Sequence, residues 1–253
     1  MSDFDRNVAA RPAYGTARAA EIDAGLRAHM IRVYNYMAGA VALTGVVAWL
    51  TFQLSVTTNA AGAIVGLTPL GQALFGSPLM WVVVLAPLAL VFFISFRIDK
   101  LQSSTALSLL FVFAGLMGLS LASIFMVYTQ TSITRVFFIT AASFGALSLY
   151  GYTTQRDLSA MGSFLIMGLF GLIIAMLVNL FLQSSAMHFV ISVVGVLIFA
   201  GLTAWDTQKI KEMYDVNDDG TVSGRKAVMG ALALYLDFIN LFLMLLRLVG
   251  DRR

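Results

Sequence analysis

Apolar positions in this chain fall in long uninterrupted runs, with neither the alternation of a strand nor the one-sided stripe of a soluble helix. The runs predict membrane helices at about 30–54, 79–96, 105–128, 136–152, 158–182, 187–214 and 227–249. At 1.5 Å per residue, about twenty residues cover the ~30 Å of a bilayer's hydrocarbon core. The last run reads AVMGALALYLDFINLFLMLL, with Lys226 before it, Arg247 after it, and one acid, Asp237, near its middle. Pro87 falls inside the second predicted helix, where neighbouring helices in a bundle can absorb a kink. Ala114, Gly118 and Ala122 place small residues on one face of the third, a surface for close helix packing.

Charge orients the pattern. Arg6, Arg11, Arg18, Arg27, Arg32, Arg97, Lys100, Arg156, Lys209, Lys211, Arg225 and Lys226 fall on one side, expected to be cytoplasmic, and Arg135 on the other. The stretch 55–78 is uncharged and rich in Thr, Gly and Ala, so an outside loop is expected. If the last helix crosses, Arg247, Arg252 and Arg253 lie outside, against that bias; a re-entrant last helix would return them inside. Residues 1–27 form a polar N-terminal segment, expected to be cytoplasmic, and 28–253 a single membrane domain. The first 32 residues lack an apolar core followed by a cleavage site, so no signal peptide is expected to be removed.

Composition agrees. Hydrophobic residues make up 59% of the 253 and charged residues 11%, against about 25% in soluble domains, and mean hydropathy is +0.87. The fold class is therefore an all-α integral membrane protein, a seven-helix bundle. No basic patch with interleaved aromatics appears, so nucleic acid is not an expected partner; the lipid bilayer is. Cysteine is absent, which excludes disulfides, thiolate metal sites and cysteine nucleophiles.

A carboxylate at mid-membrane is costly and points to function with a partner. The candidate partner of Asp237 is Asp206. The segment AWDTQKIKEMYD contains no Gly or Pro, so the sixth helix can continue to about residue 214. Asp206 would then lie about 12 Å inside that end and Asp237 about 16 Å beyond Lys226, at compatible depths. Two carboxyls meeting in low dielectric hold one proton between them. Protonated, the pair joins two helices; deprotonated, it repels itself or attracts a cation, and oxygen ligands suit a hard ion such as calcium. The plainer alternative is that each acid separately satisfies a hydroxyl or backbone group.

The segments Trp205-Asp206-Thr207-Gln208-Lys209-Ile210 and Leu234-Tyr235-Leu236-Asp237-Phe238-Ile239-Asn240-Leu241-Phe242 resemble the transmembrane BAX-inhibitor-motif (Bax inhibitor-1) family, including its bacterial YccA and YetJ branches. The resemblance spans about 26–250 and is sharpest in the last two helices. It implies seven helices with the last central in the bundle, and a pH-dependent calcium leak controlled by Asp206 and Asp237. It also implies an arginine paired with the first aspartate, for which Arg97 is the nearest match and Lys100 a rival. Beyond these, it implies a bacterial inner-membrane location, a regulatory contact with the membrane protease FtsH, and a stress-protective role in eukaryotes.

Other features carry less. Asp215, Asn217 and Asp219 begin an EF-hand-like loop, but Lys226 stands where a bidentate Glu is required, so a solvated turn is expected. His29 and His188 are expected at opposite membrane faces and cannot share a metal. Three functions from different classes remain: a pH-gated cation leak without enzymatic activity, with calcium as permeant ion and no cofactor; a non-catalytic regulator of a membrane protease; and an intramembrane aspartyl protease. The last would need a Gly-x-Gly-Asp pattern where Leu234-Tyr235-Leu236-Asp237 stands.

Overall fold

The computed structural model describes the backbone of residues 3–59 and 63–253, and side chains from Ile22 onward within those ranges. Its helices are α1 (Asp3–Ser55), α2 (Pro69–Gly76), α3 (Leu79–Arg97), α4 (Ser103–Leu121), α5 (Ile124–Val127), α6 (Gln130–Thr153), α7 (Ser159–Leu182), α8 (Ser185–Glu212) and α9 (Gly220–Val249). Seven stretches are long and apolar enough to cross a membrane: Ile22–Ser55, Leu79–Lys100, Ser103–Val127, Gln130–Thr153, Ser159–Leu182, Ser185–Glu212 and Gly220–Val249. The protein is an all-α integral membrane protein. The backbone of the polar N-terminal segment is helical from Asp3; the side chains of residues 1–21 lie outside those described.

The expected loop at 55–78 is more structured than its composition signals. Strands β1 (Val56–Thr58) and β2 (Ile64–Leu67) pair antiparallel, and α2 follows at once. Thr68 starts α2 by accepting a hydrogen bond from the Gly71 amide at 3.1 Å, with Pro69 at the first helical position. Residues 60–62 of that loop lie outside the described ones.

Burial identifies the middle of the bundle. In the most apolar stretch of α9, 67% of residues are buried inside the protein, against 11% for both α3 and α7. A lipid-facing helix leaves most of its surface to the bilayer, so α9 is the central helix, flanked by α8, α1, α6 and α4. Its core face holds Tyr235, Leu234, Leu241 and Leu246, all nearly inaccessible, and Tyr235 sits edge-on to Phe113 with ring centroids 5.4 Å apart. Deep in this core, Thr44 of α1 hydrogen-bonds both the Tyr235 hydroxyl (2.7 Å) and the Ala114 carbonyl (2.8 Å). The small-residue face of α4 receives α1: a Cβ on Gly118 would lie 2.8 Å from the Thr44 carbonyl oxygen.

Two ends can be distinguished. The basic end gathers His29, Asp99, Tyr152, Tyr214 and Arg225: the His29 and Tyr214 rings are 5.8 Å apart, Lys211 donates to the Tyr152 carbonyl, and Arg225 donates to the Asp99 carbonyl. The opposite, tail end gathers Phe52, Tyr128, Arg135 and the C-terminus. There the Thr129 amide donates to Asp251 O, the Arg253 amide donates to Val127 O, and Arg253 lies over the Phe52 ring. Re-entry of the last helix is therefore not what the chain adopts. Helix α9 is unbroken over 30 residues, about 45 Å, and leaves Arg247, Arg252 and Arg253 at the end opposite Lys226.

Candidate functional site

Local sequence carries α8 past Trp205. With no Gly or Pro to stop it, the helix runs to Glu212, two residues short of the expected end. Thr203 and Thr207, polar residues in an apolar run, donate their hydroxyls back to Phe199 O (2.7 Å) and Thr203 O (2.8 Å), so neither interrupts the helix. Helix α9 starts seven residues before the apolar run because Asp219 caps it. Its Oδ1 accepts from the amides of Thr221 (2.8 Å) and Val222 (2.7 Å).

The two helices run antiparallel, and their register brings the acids together. Gly195 faces Met244 and Gly230 faces Ile210, one contact on each side of the acids along the seam. Between them, the carboxyls of Asp206 and Asp237 lie side by side, close enough to interact directly. A hydrogen bond between two carboxyls requires a proton on one of them. Asp237 is 5% exposed, Asp206 is half-buried, and Oδ2 of Asp237 is buried without a hydroxyl or amide donor. Phe238, next in sequence, packs edge-on against Phe137 and Phe144 at 5.6 and 5.5 Å, so the stretch of α9 that carries Asp237 is packed into an apolar core.

The cation near Asp206 is one that sequence reading passed over. Lys209, one turn along α8, acts electrostatically on Asp206 while its Nζ lies 4.9 Å over the Trp205 ring. Its spacing three residues from Asp206 was the available signal. Arg97 is instead exposed at the end of α3 and forms no ion pair with either aspartate among the described residues; the same holds for Lys100. The reason is position: α3 packs on α2 and α4 at the rim of the bundle, away from α8.

Two further polar features surround the pair. Gln208 clamps the α6–α7 turn, its Oε1 accepting from the Leu158 amide and its Nε2 donating to Arg156 O, both at 2.8 Å. A chain of hydroxyls runs from Tyr34 to Ser148 (2.5 Å) and on to Thr207 (2.9 Å), one residue from Asp206. Tyr34 and Ser148 line a cavity of about 460 Å³ between α1 and α6 at the basic end.

The EF-hand-like loop does not assemble a calcium site. Asp215 accepts from the backbone and side-chain nitrogens of Asn217, both at 2.9 Å, Asp219 caps α9, and Asp218 pairs with Lys226 at 2.6 Å. Each acid is spent on the turn or on the cation that replaced the expected Glu. Among the described residues no three His, Asp or Glu side chains form a metal-binding group. His29 and His188 lie at opposite ends of the bundle.

Comparison with known proteins identifies the chain's family. The sequence profile of the family described as "Inhibitor of apoptosis-promoting Bax1" matches residues 26–253, from the first span to the C-terminus. The chain is 44% identical to "Inner membrane protein YbhL" of Escherichia coli K12 over 233 residues, 91% of this chain and 94% of that protein. It is 46% identical over 238 residues to the uncharacterized protein RP147 of Rickettsia prowazekii, covering 94% and 95% of the two chains. An uncharacterized protein of Caulobacter vibrioides is 40% identical over 254 residues, with both chains fully covered.

Proposed function

The chain belongs to the Bax inhibitor-1 family, and from that premise we propose that it is a proton-responsive cation leak of a bacterial inner membrane, with calcium as the permeant ion and its basic end in the cytoplasm. The observation that carries this reading is the carboxyl–carboxyl contact of Asp206 and Asp237 in the α8–α9 seam.

The mechanism follows from charge. With one proton shared, the pair is a hydrogen bond joining α8 to the central helix, and the seam is closed. Losing that proton leaves two negative charges in contact within an apolar surround, where repulsion is far stronger than in water. The charges then separate, moving α8 relative to α9, or draw in a cation to replace the proton. Carboxylate oxygens are hard ligands suited to calcium, and water would complete the coordination of an ion in transit. Lys209 stands beside Asp206 to compensate the anionic state. The Tyr34–Ser148–Thr207 hydroxyl chain supports proton access from the basic end.

Calcium entry into proteoliposomes, followed from about pH 5 to about pH 8, tests the reading. Wild type is expected to show a pH-dependent flux, and Asp206→Asn and Asp237→Asn are expected to flatten the pH response. Absence of flux in wild type, or an unchanged pH profile in both variants, would sink it.

A further inference from the structure

At the tail end, the ends of α7, α8 and α9 enclose a cavity of about 770 Å³ that lies apart from the aspartate pair. Its polar lining includes Asn179, Gln183, His188, Arg247 and Arg252, and no acidic residue lines it. Neither arginine has a carboxylate partner among the described residues, where the ion pairs are Arg135–Asp251 and Lys226–Asp218. Two full positive charges thus face one cavity, at the end of the protein where the distribution of basic residues otherwise disfavours them.

Helix ends adjust this balance without reversing it. The C-termini of α7 and α9 each contribute about half a negative charge and the N-terminus of α8 about half a positive one. Against two guanidinium charges the sum remains about +1.5. Arg247 therefore does more than neutralise the end of its own helix.

A second, independent observation points to a ligand. Asn179 is 2% exposed; its Oδ1 accepts from the Ser184 amide at 3.0 Å, but its Nδ2 is buried with no acceptor. An unsatisfied buried donor is costly, and here it belongs to the cavity wall. Gln183 holds the left-handed conformation (φ 50°) that helix ends normally leave to glycine or asparagine, placing another amide on the same wall. The cavity also borders Leu180 and Phe189, exposed apolar residues that face lipid.

We infer that this cavity binds a phosphate group, carried by an anionic phospholipid of that membrane surface or present as free phosphate. Guanidinium forks match phosphate oxygens, amide donors complete the coordination, and the α8 N-terminus favours an anion. The apolar border gives an acyl chain a place to lie.

The test is titration of the purified full chain in neutral detergent with short-chain phosphatidylglycerol, inorganic phosphate and a matched neutral diacylglycerol, read by calorimetry. Wild type is expected to bind phosphatidylglycerol and not the diacylglycerol. Binding of inorganic phosphate as well would identify the phosphate group alone as sufficient; binding of phosphatidylglycerol only would assign the site to the lipid headgroup. Arg247→Gln combined with Arg252→Gln should weaken binding by about tenfold or more, and Asn179→Asp, which removes the free donor and adds negative charge, should also weaken it. Arg32→Gln, which removes one positive charge at the basic end as Arg252→Gln does at the tail end, should leave it unchanged. If the double variant fails to fold, Arg252→Gln alone, at an exposed position in the tail, carries the test. Binding of neither phosphate probe, diacylglycerol binding equal to phosphatidylglycerol, or arginine variants that bind like wild type would overturn the inference.

Discussion

At the scale of single residues, the chemistry rests on polar groups set into apolar helices. Asp237 announced itself in the sequence because one acid in a twenty-residue apolar run has no inexpensive explanation. Lys209 did not, because a lysine near a helix end reads as orientation, although its place one turn from Asp206 on a continuous α8 puts its charge near that carboxyl. Gln208 was equally hidden, since its partners at Leu158 and Arg156 are fifty residues away. Gln208→Leu removes both bonds and leaves the turn's groups unpaired, and should cost about 1–3 kcal/mol, seen as a lowered thermal midpoint in detergent. An unchanged midpoint would show that the clamp is not structural. In the α8–α9 loop, backbone and side-chain hydrogen bonds from Asn217 hold the Asp215 carboxyl below the usual carboxylate range. A depressed value means that the turn's stabilisation is present above the ordinary carboxylate pKa of about 3.9 and fades as pH falls below it. The Asn217 amide resonance should therefore hold its position at neutral pH and move only below about pH 4.

At the scale of elements, helix identity was legible because runs of this length have few physical alternatives in a bilayer. The ends were less so. Helix α9 begins at a cap, Asp219, that looked like part of an ion-binding loop, and α6 begins at a Thr129 cap six residues before its apolar run. The hairpin β1–β2 was missed because strands of three and four residues carry too little pattern to register. Close helix approach gives the sharpest element-level prediction. A Cβ on Gly151 of α6 would collide with the Ala204 carbonyl oxygen of α8, a backbone atom that cannot rotate away. Gly151→Ala should therefore push α6 from α8 two residues short of Asp206 and cost about 1–3 kcal/mol. A thermal midpoint equal to wild type would show that the helices separate freely there. By contrast, Arg135 and Asp251 are 61% and 64% exposed at 3.6 Å, so Arg135→Ala should change stability by about 1 kcal/mol at most.

At the scale of the whole molecule, six spans are arranged with a seventh, α9, at the centre, whose burial sets it apart from every lipid-facing helix. The expectation of a central last helix came from the resemblance carried by Trp205–Ile210 and Leu234–Phe242; the side of its C-terminus could not be read, because positive charge flanks both ends of the run. The tail's hydrogen bonds to Val127 and Thr129 place it at the end opposite Lys226. Since the chain has no cysteine, orientation in the membrane can be tested with single introduced thiols. Thr131→Cys, exposed at the tail end, should react with an impermeant maleimide on intact cells, and Asn217→Cys, exposed at the basic end, only after permeabilisation. The reverse pattern would invert the proposed topology. The central claim is that Asp206 and Asp237 share a proton whose loss opens the seam. Infrared difference spectroscopy of the reconstituted protein during a pH step observes that proton directly. A protonated-carboxyl band that titrates in wild type is expected, absent from both Asp206→Asn and Asp237→Asn. A spectrum with no titrating carboxyl band, or one in which the band survives either substitution, would contradict it.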